Sequence, residues 1–233
     1  MLANFHTHTT FCDGKSTPEE VVLSAINLGF STIGFSGHGY TPFDLRYCMK
    51  DSDGYLSELA RLREKYRGRI RILSGIEEDA FAPVDRSRFD YVIGSSHYLR
   101  DGDRYLPIDS GHDLFLDCLR ACRGDVLTLA DNYYGSFCRY LEVRKPDIIG
   151  HFDLVVKMNE TLHFVDEDSP EYRRCAIEAA ERLAGKIGLF ELNTGAVARG
   201  FHRIPYPAPF ILKELRRLGF GAVISSDCHR KEN

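Results

Sequence analysis

At 233 residues, with 43% hydrophobic and 27% charged side chains, the chain has a globular composition and the length of one large α/β domain over residues 1–233. Its net charge of −4 gives no basic footprint for nucleic acid. No run approaches the roughly 18 apolar residues of a membrane span, and no basic segment leads into an apolar one at the start; the cytoplasm is the expected compartment, with neither nucleic acid nor membrane as a partner.

Residues 2–6 read as a strand, whose alternation turns His6 and His8 to the same side. Thr17-Pro18-Glu19-Glu20 joins a capping Thr, a Pro at the first helical position and a Glu three residues after the cap, so a helix starts there. Its apolar positions Val21, Val22, Ala25, Ile26 and Leu28 lead to Gly29 as the stop. Residues 32–36 read as a buried strand running into His38. Tyr55, Leu56, Leu59, Leu62 and Tyr66 then recur at helical spacing before Gly68.

Strands over 70–76 and 89–95 end at Glu77-Glu78-Asp79 and at His97. The stretch 98–111 is expected to be a long irregular loop, a feature that is usually functional or mobile in a compact domain. Helices over 112–122 and 125–143 precede a short strand over 146–150 that ends at His151. A helix over 170–187, a strand over 189–193, a helix over 208–218 stopped by Gly219 and a strand over 222–226 follow, the last ending in Asp227-Cys228-His229. About seven strands separated by helices imply parallel strands with helices outside, in a barrel or a doubly wound sheet.

The ionisable residues follow this frame. Six of the nine histidines (His6, His8, His38, His97, His151 and His229), together with Glu77 and Asp227, stand at or just past the C-terminal end of an expected strand. In a parallel barrel those ends form one face, where active sites are built. Neutral imidazole and carboxylate suit zinc, iron or manganese. His112, His163 and His202 fall outside the pattern and read as structural. Seven cysteines, an odd count at scattered positions, read as reduced thiols. No glycine-rich phosphate loop and no Gly-x-Ser-x-Gly elbow is present, which leaves metal chemistry.

Phe5-His6-Thr7-His8, Phe11-Cys12-Asp13-Gly14, Phe35-Ser36-Gly37-His38, Ser74-Gly75-Ile76-Glu77, Ile93-Gly94-Ser95-Ser96-His97-Tyr98, Ile148-Ile149-Gly150-His151-Phe152-Asp153, Glu191-Leu192-Asn193-Thr194-Gly195 and Ser225-Ser226-Asp227-Cys228-His229 span nearly the whole chain in order. Together they resemble the PHP family, named for its polymerase and histidinol phosphatase domains. The Asn-Thr-Gly run followed by Arg199 and the Gly-His-Phe-Asp segment look most like its histidinol-phosphate phosphatases.

The resemblance implies a distorted (β/α)7 barrel with the metal site at the C-terminal ends of its strands, holding two to three divalent ions of zinc, iron or manganese. It places His6, His8, Glu77 and Asp227 on a first metal. A second would share Glu77 and add His97 and His151, and a third would take Asp13, His38 and His229. Many members have His where this chain has Asp13, and the harder carboxylate favours iron, manganese or magnesium over zinc. The chain ends four residues after His229, where the family leads one to expect a closing helix. Without it, apolar barrel surface is exposed or covered by a partner.

The implied activity is metal-dependent hydrolysis of a small phosphate monoester, with L-histidinol phosphate, an intermediate of histidine biosynthesis, the first substrate to expect. Clustered cations would acidify water and neutralise the phosphate, and Arg199 would hold the phosphoryl oxygens through paired hydrogen bonds. Glu77 and Asp227, with Arg199, are thus the expected catalytic set. Asp101, Asp103 or Asp109 are candidates for the substrate's cationic half. Two alternatives stand beside this reading: a nucleotide or phosphotyrosine esterase of the same family, and a non-enzymatic module stabilised by metal.

Overall fold

The computed structural model describes residues 2–232. After β1 (Leu2–Asn4), Thr17 caps α1 (Pro18–Asn27). Its hydroxyl accepts from the Glu20 amide at 3.3 Å while the Glu20 carboxylate accepts from the Thr17 amide at 2.9 Å, the reciprocal capping box read from the sequence. β2 (Phe30–Phe35), α2 (Ser52–Lys65), β3 (Arg71–Asp79) and β4 (Tyr91–Ser95) follow.

The expected irregular stretch after His97 is instead an antiparallel hairpin, β5 (Tyr98–Asp101) and β6 (Arg104–Pro107). Gly102, with φ of +59°, opens its two-residue Gly-Asp turn, a conformation that glycine adopts without steric cost. α3 (His112–Ala121), α4 (Val126–Arg144), β7 (Ile148–Ile149), α5 (Asn159–Leu162), α6 (Pro170–Leu183), β8 (Leu189–Asn193), α7 (Gly195–Ala198), α8 (Pro209–Arg217) and β9 (Gly221–Ser225) complete the order.

Seven strands form one parallel sheet in the order β1-β2-β3-β4-β7-β8-β9. Its edges nearly close into a barrel: a parallel bridge joins Thr7 to Cys228, and the Asn4 amide bonds Ser226 Oγ at 2.8 Å. Helices pack outside. α1 and α2 bury Val22, Leu59 and Leu62 against Ile33, Phe35 and Ile72, while α4 and α6 bury Leu129, Phe137 and Ala180 against Ile149 and Phe190. The outer faces of β9 and β1 stay open, with Ile224 66% and Leu2 56% exposed.

Inside the barrel the layers change character along its axis. Tyr91, Ile93 and Ile148 cluster with Phe5, Leu73 and Val223 toward the N-terminal end. The Tyr91 ring lies where a Cβ on Gly75 would be only 2.3 Å away, so a side chain at that position would collide with this plug. Two residues further along β3 the interior position is Glu77, and the filling becomes imidazole and carboxylate. The apolar layer thus ends directly below the ionisable one. Cys12 is half-buried, the other six cysteines are buried, and all seven are free thiols. No helix among the described residues is long and apolar enough to cross a membrane.

Candidate metal centre

Every ligand-type residue singled out from the sequence comes to one place. His6 and His8 leave β1 on the same side, with ring centroids 5.1 Å apart. One oxygen of Glu77, Oε2, lies 2.9 Å from His38 Nδ1, 3.3 Å from His6 Nε2 and 3.6 Å from His8 Nε2. The other, Oε1, lies 3.1 Å from His151 Nε2 and 3.4 Å from His97 Nε2. One carboxylate therefore stands among five imidazoles from four segments of chain.

Asp227 Oδ1 lies 3.2 Å from His8 Nε2, and Asp13 Oδ2 lies 3.2 Å from His229 Nε2. The turn after β9 carries Asp227 with φ of +47°, a left-handed conformation that Asp tolerates better than most residues. Gly195 makes room for it, since a Cβ there would meet the Asp227 Cβ at 2.8 Å.

Three groups have ligand atoms mutually within 4.8 Å: His8, Asp13, His38 and His229; His6, His8 and Glu77; and His38, Glu77 and His97. His38 thus reaches toward both Asp13 and Glu77, where the resemblance assigns it to Asp13 alone. A cation fits this donor set on independent grounds. His6 Nε2, His8 Nε2, Asp13 Oδ1 and Glu77 Oε2 are all buried without a hydrogen-bond partner among the described residues. Leaving each such group unpaired costs on the order of 1–3 kcal/mol, so four together are a standing demand for an electron-pair acceptor.

Electrostatics divide the two neighbouring histidines. Burial opposes protonation of both, but Glu191, Glu77 and Asp227 outweigh it at His6 and hold that ring well above its ordinary pKa. At His8 burial acts with His229 and His38, and the ring is pushed down to about 3. Burial would raise Glu77 and Asp227, yet the surrounding imidazoles, His6 foremost, hold both well below the usual carboxylate range.

Two carboxylates that the sequence reading gave no role hold ligands from behind. Asp79 Oδ2 accepts from the His97 amide at 3.0 Å and lies 3.1 Å from His97 Nδ1. Glu191 Oε2 lies 2.8 Å from His6 Nδ1. Strand parity carried a signal for both: Asp79 shares the interior face with Glu77, and Glu191 shares it with Asn193.

The cluster lies along one cavity of about 320 Å³, where Lys15, Lys157, Arg199 and Arg230 balance Asp13, Glu77, Asp109 and Asp227. Arg199 Nη2 donates to Asp227 Oδ2 at 3.1 Å, Nη1 lies 2.6 Å from His229 Nδ1, and Nε is buried without a partner. Asp109 lies 3.2 Å from Lys157 Nζ, whereas Asp101 and Asp103 are exposed beside the hairpin turn and do not line the cavity. His112 bonds Thr161, His163 is exposed and His202 bonds the Ile204 carbonyl; none lines the cavity.

Fold and cluster together define a parallel α/β barrel with a metal-binding mouth, and the chain belongs to the PHP domain family, whose profile matches residues 4–195. Among curated relatives, the histidinol-phosphatase of Bacillus subtilis is 26% identical over 97% of this chain and 92% of its own. That of Lactococcus lactis is 26% identical over 82% of this chain and 70% of its own. Among solved structures, a histidinol phosphatase candidate from Listeria monocytogenes superposes with a TM-score of 0.84 at 20% identity, covering 99% of this chain and 96% of that one. The Lactococcus lactis histidinol phosphate phosphatase, complexed with zinc, L-histidinol and phosphate, superposes with a TM-score of 0.71 at 21% identity over 99% and 87%.

Proposed function

We propose that this chain is a metal-dependent phosphomonoesterase that hydrolyses L-histidinol phosphate to L-histidinol and phosphate. The observation that carries the reading is the convergence of nine ligand-type side chains, seven of which line one cavity with Arg199 while His6 and His8 reach Glu77 from behind it, in a chain whose curated relatives named above are histidinol phosphatases. His6, His8, Asp13, His38, Glu77, His97, His151, Asp227 and His229 would hold two to three divalent ions of zinc, iron or manganese. Bound there, such ions acidify water and offset the charge of a phosphate dianion.

The chain's own side chains do the rest. The cationic and anionic residues lining the cavity are balanced, so bound cations leave a net positive surface for the phosphate. Glu77 offers each of its oxygens to a different set of imidazoles, which suits a carboxylate shared by two ions. Arg199 presents a planar fork of donors that matches two phosphoryl oxygens. Asp109, on the cavity wall beside Lys157, is the carboxylate placed to meet the ammonium or imidazole of the substrate.

Phosphate release from L-histidinol phosphate, a nucleoside monophosphate and a phosphotyrosine peptide, each with added manganese or zinc, tests the reading. L-Histidinol phosphate should be hydrolysed fastest and chelation should abolish the activity. Metal-loaded protein that leaves L-histidinol phosphate intact overturns the substrate. Protein with less than about one metal per chain after reconstitution overturns the metal chemistry.

A further inference from the structure

Glu191 is buried on β8 and is absent from the cavity wall, so it does not meet substrate. Its carboxylate nevertheless ties together three of the segments that supply ligand-type side chains. Oε2 lies 2.8 Å from His6 Nδ1, beyond the end of β1. Oε1 accepts from the His151 amide at 2.6 Å, past the end of β7, and from Asn193 Nδ2 at 2.9 Å. The same Asn193 amide reaches Asp227 Oδ2 at 3.3 Å, and its oxygen accepts from the Gly195 amide at 2.9 Å, at the start of the helix that leads to Arg199.

We propose that Glu191 is a positioning residue that fixes the tautomer of His6 and aligns the ends of β1, β7 and β9 around the cluster. The inference rests on the metal-binding reading above. Because Oε2 accepts the Nδ1 proton, the neutral His6 ring must present its Nε2 lone pair to the side of Glu77 and Asp227, where Nε2 is buried without a partner among the described residues. All three of its contacts use the carboxylate as acceptor, and an acid does this where an amide cannot.

Glu191→Gln separates the two roles. Its single oxygen is best placed at Oε1, facing two donors, which leaves the NH2 group facing His6 Nδ1. The ring then accepts at Nδ1 and carries its proton on Nε2, so it can no longer donate a lone pair between Glu77 and Asp227. Loss of such an outer partner lowers metal affinity about 10–100-fold.

Chelator competition on wild type and Glu191→Gln, loaded with zinc, counts each metal equivalent separately. The expected result is one equivalent weakened about 10–100-fold, the others unchanged and the metal-free Tm largely retained. Equal weakening of every equivalent, or none, overturns the proposal. Nitrogen NMR of His6 in metal-free wild-type protein, taken at a pH high enough to deprotonate this ring, decides the matter even if the variant does not fold. A proton on Nδ1 supports the assignment and a proton on Nε2 overturns it. Wild-type protein that takes up no zinc defeats the proposed function, while the His6 tautomer still reads the Glu191 contact.

Discussion

Glu77 and Glu78 are neighbours on β3, both buried, and they face opposite sides of the sheet. Glu77 looks into the barrel toward five imidazoles, and its Oε2 has no hydrogen-bond partner. Glu78 looks out toward α4 and is saturated: Oε1 accepts from Tyr140 Oη and Arg144 Nε, each at 2.9 Å, and Oε2 from Arg144 Nη2 at 2.6 Å and the Val84 amide at 2.7 Å. Burial is therefore no mark of a functional carboxylate. The mark is acceptor capacity left over after the protein has supplied its donors, pointed at groups that also have lone pairs to give.

The sharpest way to break the comparison is Glu77→Gln. An amide keeps the shape but loses one of two equivalent oxygens, and each oxygen faces a different pair or trio of imidazoles. Two metal equivalents should be lost together. Phosphate release should fall by more than the roughly 100-fold upper range for disturbing an outer partner alone. Metal analysis beside a turnover assay checks this, and a variant that keeps its metals and its rate removes Glu77 from the bridging role.

Arg199→Ala comes next. Removing a paired donor from a phosphate should cost about 2–4 kcal/mol of transition-state binding, or roughly 30- to 1000-fold in kcat/KM, with metal content unchanged. A surface ion pair would leave the kinetics nearly untouched. Steady-state kinetics on L-histidinol phosphate separates these outcomes. Asp79→Asn should be milder. The amide can still accept from the His97 backbone, but it no longer anchors the Nδ1 proton without competition, so the equivalent that uses His97 should weaken about 10–100-fold. Chelator competition reads it, and uniform weakening of all equivalents would count against a local role.

Much of this site could be read in the sequence because the strand ends carried it. Glu77 sits at the interior parity of β3, while His6 and His8 follow the end of β1 and Asp227 and His229 follow the end of β9, so nearness to a strand's C-terminal end was the signal for these four. The outer partners were harder to see. Glu191 and Asp79 act through contacts between different strands, Glu191 to His6 across 185 positions and Asp79 to His97 across 18, and local pattern carries no information of that kind. The hairpin over 98–107 was missed for a different reason. Its four-residue strands are too short for a period, and Gly102-Asp103, the turn that pairs them, is by composition alone no different from loop.

Glu78→Gln is the smallest expected effect on activity and the closest control for Glu77. Four donors converge on the Glu78 carboxylate, and a Gln offers one oxygen and one NH2 group that itself needs an acceptor. Whichever way the amide lies, donors on one side are left without a partner, at about 1–3 kcal/mol. For a chain of this length each kcal/mol shifts Tm by roughly 2–4 °C, so thermal unfolding should move down by roughly 2–12 °C. Metal stoichiometry and turnover should stay at wild-type levels, because the side chain lies on the far face of β3 from the cluster. The reverse result, with metals lost and Tm unmoved, would mean that β3 is shifted by one residue, since a single step of register exchanges the two faces of a strand.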